Sequence, residues 1–208
     1  MPDDQYITSS CVISNHVVYK DGMPVFEKKD GDLPAFLVLV YEHFKVKYPK
    51  FYKMDSLSKL GWLAAEVLLN HVFNKDNYQP GEIGVVLANA SSSLDTDIKY
   101  FETVKNIASP ALFVYTLPNI MIGEICIRHN FKGENAFFIF EEFNASFIQQ
   151  YVNNLFNNNI LQACICGWVE LMEDQYKAVL FLVEKGKGKQ TTLFSIENVN
   201  KIYQLENG

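Results

Sequence analysis

The chain has 208 residues, 49% of them hydrophobic, with 16 Phe, 11 Tyr and a formal net charge of −6. That length suits one well-buried domain, residues 1–208, and is short for two. The acidic balance argues against general nucleic-acid binding, which needs cations to neutralise phosphates, and no run reaches the ~18 apolar residues of a membrane helix.

Met1 to Gln5 is polar and acidic rather than signal-like, so a cytoplasmic location is expected. Tyr6–Ser14, His16–Tyr19 and Met23–Phe26 read as strands, with a turn at Lys20-Asp21-Gly22. The apolar stretch Pro34–Phe44 predicts a short helix packed on the core. A basic segment follows, in which Lys45, Lys47, Lys50 and Lys53 alternate with Tyr48, Phe51 and Tyr52. Asp55 or Ser56 then caps a helix running to about His71, with Trp62, Leu63, Val67 and Leu68 inward.

Glu82–Ser93 reads as a buried, parallel-type strand ending in a small-residue loop. Such loops lie at the carboxyl edge of α/β sheets, where ligands bind, which makes Ser91 and Ser92 candidate contacts. The alternative is a loop that leads into a helix and uses Ser for capping. A helix is expected from Asp95 to about Lys105, then an extended apolar loop over Ala108–Asn119, then a helix over Asn119–His129 opened by Pro118. Gly123 inside that helix costs about 1 kcal/mol relative to Ala, which implies a close helix approach there.

Gly133–Ala145 reads as a buried aromatic strand that turns sharply into a helix capped by Asn144. Phe147, Ile148, Tyr151, Val152, Leu155 and Phe156 line one face of that helix, and Asn and Gln residues crowd the other. Leu161–Leu171 and Gln175–Lys185 form an antiparallel pair across Met172–Asp174. The turn Lys185-Gly186-Lys187-Gly188-Lys189 lacks the spacing of a phosphate loop, and Thr191–Ile196 closes the chain as a strand with a short tail. Cys11, Cys126, Cys164 and Cys166 lie in apolar segments without metal-ligand spacing, so they read as small core residues, and no metal or cofactor is expected.

Lys53-Met54-Asp55, Ser109-Pro110, Asn119, Gly123, Gly133-Glu134-Asn135, the strand and helix that follow, and finally Gly167 and Glu170 resemble the N-terminal half of the β-ketoacyl-acyl carrier protein synthases. The resemblance implies a thiolase-like α/β fold: three α/β/α layers with a mixed five-stranded sheet and helices on both faces. On this register the family's nucleophilic cysteine falls on Glu142, and no cysteine stands nearby. The reaction needs a thiolate activated at a helix N-terminus, which a carboxylate cannot replace. The family's C-terminal histidines and lysine have no counterpart either, since His16, His43, His71 and His129 fall in no matching pattern. The full synthases bury the helix after the nucleophile between two sheets. Its polar face here implies a half-size protein.

Glu142 then reads in three ways: a structural turn residue, a plug of the acyl pocket like the Gln of chain-length factors, or a catalytic carboxylate without a visible partner. The resemblance implies a non-catalytic partner of a full-length ketosynthase in fatty-acid, polyene or polyketide assembly. Its alternative is a protein that binds an acyl carrier protein or acyl group without a synthase. Family dimers pair through the strand before the nucleophile, so Ala136–Glu141 is expected to pair with a ketosynthase or with itself. The Lys45–Lys59 segment is a candidate dock for an acidic carrier protein, or simply a solvated basic loop. Lys45, Lys47, Lys50, Lys53, Ser91, Ser92, Asn119 and Phe143 make up the candidate binding residues.

Overall fold

The computed structural model describes residues 4–186 and 192–205. In chain order the elements are β1 (Gln5–Ser14), β2 (Val17–Lys20), β3 (Met23–Glu27), α1 (Leu33–His43), α2 (Ser56–Leu69), β4 (Ile83–Asn89), α3 (Leu94–Val104) and α4 (Pro110–Phe113). After them come α5 (Asn119–His129), β5 (Asn135–Ile139), α6 (Ala145–Asn157), β6 (Ala163–Met172), β7 (Gln175–Lys185), β8 (Thr192–Leu193) and α7 (Ile196–Tyr203).

The strands build one mixed sheet in the order β3-β2-β1-β7-β6-β4-β5, with β8 also on β1. β4 runs parallel to β5 and β6, while β7 is antiparallel to both β6 and β1. β1, β7, β6, β4 and β5 are thus the expected five-stranded core. Three short strands widen it to eight at the β1 side. The β2–β3 reversal is made by Asp21 (φ 52°) and Gly22 (φ 79°), with the Asp21 carboxylate accepting from Ser10 N at 2.7 Å.

Side chains alternate across this sheet and feed two cores. On one face Cys11, Ile13, Val85, Leu87, Ile165 and Leu180 pack under α1, α2 and α5. On the other, Val12, Val86, Cys164, Cys166 and Phe181 pack under α6 and α7. A bulge between Ile7 and Ser9 re-phases β1 and turns Ile7 into the second core beside Val12. The result is three layers with helices on both faces.

Asp55 caps α2, accepting from Ser58 N at 2.9 Å, and Trp62 is wholly buried within that helix. The close helix approach lies at Gly61 rather than Gly123. A Cβ on Gly61 would come within 1.9 Å of Met121 Sδ on α5, whereas Gly123 has nothing within 4 Å of its missing Cβ. The Ala108–Asn119 loop is not wholly extended: Ser109 caps the single turn α4, accepting from Leu112 N at 3.3 Å. The expected C-terminal tail is the helix α7, capped by Ser195 and anchored through the buried Val199. Thr191 and the glycine-rich segment 187–189 lie outside the described residues. Among the described residues no helix is long and apolar enough to cross a membrane.

Candidate functional site

The carboxyl ends of the parallel strands β4, β5 and β6 meet at one corner of the sheet. Phe140 N, just past β5, donates to Asn89 O at 3.0 Å, which joins the exits of β5 and β4. The Ser-rich loop after β4 is closed upon itself. Asn89 Nδ2 donates to Ser92 O at 2.8 Å, and Asn89 Oδ1 accepts from Ser92 N at 2.9 Å, holding Ser92 at φ 53°. From β6, Glu170 Oε2 accepts from Ala90 N at 2.6 Å and Ser91 N at 3.2 Å, while its Oε1 is buried without a hydrogen-bond partner. Ser93 Oγ donates to Thr116 O at 2.8 Å. Ser91 and Ser92 therefore sit at the expected edge, but their backbone amides are already committed to Asn89 and Glu170. Glu170 is the organising residue here, and the sequence signals it only through the family register.

Glu142 does not stand at the N-terminus of α6. β5 ends at Ile139, the chain bends through Glu141 and Glu142, and the cap is Asn144, whose Oδ1 accepts from Phe147 N at 2.9 Å. Glu142 is exposed and lies ahead of the first helical turn, where the dipole has little hold on it. Phe143 is half-buried and lies flat on Tyr203 of α7 at 4.0 Å between centroids, with Trp168 edge-on at 6.0 Å. The unpredicted helix α7 thus engages Phe143 directly.

None of the four free cysteines resembles an activated nucleophile. Cys11, Cys164 and Cys166 are buried in the cores. Burial pushes the Cys11 and Cys166 thiols well up, the latter also through its hydrogen bond with Cys164, and raises Cys126 to about 11. Such values suppress the thiolate that nucleophilic chemistry requires.

β5 is not the buried strand expected from the sequence: it is the last strand of the sheet, with Asn135 and Ile139 exposed and the residues between them half-buried, because its outer side pairs with no strand among the described residues. Beside it Phe138, Phe140, Phe147 and Tyr151 form a half-buried ring cluster, with Phe138–Phe147 and Phe140–Phe147 both edge-to-face at 4.8 Å.

The basic segment splits in two. Lys45 and Lys47 line a cavity of about 350 Å³ together with Glu66, Asn70 and Arg128. Burial raises the Glu66 carboxyl, but hydrogen bonds and charge from His129 and Arg128 outweigh it and hold the group below the usual carboxylate range. Lys50 is spent on a 2.6 Å ion pair with the buried Glu124. Lys53 is exposed on the short turn Pro49–Lys53, and Asn119 is exposed at the start of α5. The candidate binding residues therefore fall into separate groups: the serines and Phe143 near the sheet corner, and the lysines on the α1–α2 side.

No protein-family model matches the sequence, and no curated protein does at a significant level. Solved structures do. A structure of a type II polyketide synthase acyl carrier protein in complex with its ketosynthase bound to the hexaketide (AntDE:AntF) matches at TM-score 0.60 and 14% identity, over 89% of this chain and 63% of that one. The ishigamide ketosynthase/chain length factor matches at TM-score 0.62 and 16% identity, over 91% and 64%. The fold is that of the ketosynthases and chain length factors. A third structure, the ketosynthase ApeO in complex with its chain length factor ApeC from Xenorhabdus doucetiae, matches at TM-score 0.59 and 12% identity, over 99% of this chain and 92% of that one. The chain spans just under two thirds of the length of the first two, 63% and 64%, and nearly all of the third.

Proposed function

We propose that the chain is a non-catalytic, chain-length-factor-like partner of a ketosynthase in polyketide, polyene or fatty-acid assembly, working in the cytoplasm. The observation that carries this reading is the end-to-end match to a chain of similar length from a ketosynthase–chain length factor complex. Three features of the site support it. The sequence resemblance puts Glu142 where the family has its nucleophile, burial raises the Cys11, Cys126 and Cys166 thiols, and the outer edge of β5 pairs with no strand among the described residues. Exposure of Glu142 favours the turn-residue reading over an acyl-pocket plug.

The test is affinity capture of the tagged chain from its source cells, with co-purifying chains identified by mass spectrometry. A stoichiometric ketosynthase is expected, together with no acyl-thioester condensation by this chain alone. Recovery of the bare chain overturns the reading.

A second reading, docking of an acyl carrier protein, is favoured by the cavity in which Lys45 and Lys47 join Arg128. Acidic carriers would be drawn to such a patch. The double variant Lys45→Glu, Lys47→Glu is then expected to weaken binding of a purified acyl carrier protein at least tenfold at low salt. Unchanged binding removes that role.

A further inference from the structure

Helices α1, α2 and α5 finish side by side, around the cavity of about 350 Å³ that holds Lys45 and Lys47 after α1, Glu66 and Asn70 at the end of α2, and Arg128 in the last turn of α5. The other end of α2, capped by Asp55, is the one tied to the start of α3 beside the serine loop. α2 has 14 residues, about 20 Å at the helical rise. The cavity is therefore a place apart from the carboxyl corner of the sheet.

Lys45 is held where lysine is poorly suited. α1 ends in a Schellman-type turn, in which Lys45 N donates to Glu42 O at 3.0 Å and Val46 N to Tyr41 O at 3.3 Å. Lys45 takes φ 51° there, in the left-handed region where a Cβ is crowded and glycine is the usual residue. A lysine kept at that conformational cost implies a use for its side chain.

The charges are unbalanced as well. Arg128 Nε and His129 Nε2 lie 3.2 Å and 2.7 Å from the same Glu66 Oε1, and the Glu66 side chain is only 10% exposed. That carboxylate is answered from within the protein. Lys45 and Lys47 have no ion-pair partner among the described residues, and the Asn70 side-chain amide bonds none of them either. Helix C-termini attract cations in general. At α1, however, the final carbonyls are already taken by the Lys45 and Val46 amides.

We propose that this cavity binds a small organic phosphate, a monoester whose dianion sits between Lys45 and Lys47 and accepts a hydrogen bond from the Asn70 amide. Lysine serves phosphate as a point charge, and a concave site of one sign concentrates anions. Its volume is roughly ten times a water molecule's share of liquid. That leaves room for the carbon body of the ester against Phe44 and Val46. The inference does not depend on the ketosynthase partnership.

The test is calorimetric titration of the purified chain with phenyl phosphate and with inorganic phosphate, near neutral pH and at low salt. It is repeated on Lys47→Met, Lys45→Gly and, as a control, Lys28→Met, all three at exposed positions. Phenyl phosphate is expected to bind saturably and about tenfold or more tightly than inorganic phosphate, with a loss of about tenfold in Lys47→Met and Lys45→Gly and none in Lys28→Met. Lys45→Gly should also raise the Tm, because glycine suits the left-handed position. Absence of saturable binding, an equal loss in Lys28→Met, or a lowered Tm for Lys45→Gly overturns the inference. Binding of a purified acyl carrier protein through Lys45 and Lys47, without binding of phenyl phosphate, overturns it too and leaves carrier docking standing.

Discussion

Helices α6 and α3 carry the same kind of amphipathic pattern in opposite orientations. In α6 the stripe Ile148, Val152, Leu155 and Phe156 is buried on the sheet, and Asn154, Asn157 and Asn158 meet solvent. In α3 the apolar stripe meets solvent, and the inner face is fixed by hydrogen bonds to Asp55 and the β6–β7 turn. Periodicity establishes that a helix has two faces. It does not say which neighbour each face meets. For α6 the hydrophobic effect of a sheet face decides; for α3 two polar anchors decide, and the apolar face is left exposed.

Truncating the buried stripe should cost most. Phe156→Ala is expected to lower stability by about 3–5 kcal/mol, read from urea unfolding, because it empties a wholly enclosed site. A loss below about 1 kcal/mol would mean that α6 does not pack as described. Next comes the anchor of α3. Thr96→Val leaves Asp55 Oδ2 without its donor, for about 1.5–3 kcal/mol, and a neutral result would free α3 to turn its stripe inward. Asn144→Ala removes the α6 cap and should cost about 1 kcal/mol in the same assay. Phe101→Ser, on the outward stripe, should change the stability of the isolated chain by no more than about 0.5 kcal/mol. A large loss there would show Phe101 to be core, and the contrast between the two helices would collapse.

Much of the fold was legible where local chemistry and the final contacts agree. Asp55 and Asn144 cap helices as their side chains suggest, and the Met172–Asp174 connection joins an antiparallel pair. The apolar face of α6 also survives into the structure. Other features depend on distant partners. α7 holds only one fully buried residue, Val199, so its short segment carries little periodic signal, and its value lies in covering the sheet beside α6. Gly123 looked like a contact and is not one, whereas Gly61 is, because only the docking of α5 on α2 determines which glycine meets Met121.

At the site, the edge position of the serine loop follows from the strand that precedes it. Its closure by Glu170 does not, since that carboxylate arrives from a strand about 80 residues later. Glu142 stands beyond the reach of the α6 N-terminus because the bend after β5 gives the cap to Asn144.

The most direct measurement is the native mass of the complex purified through this chain from its source. One copy of the chain with one ketosynthase is the expected result. A mass of twice the chain, with no second component, would contradict the partnership.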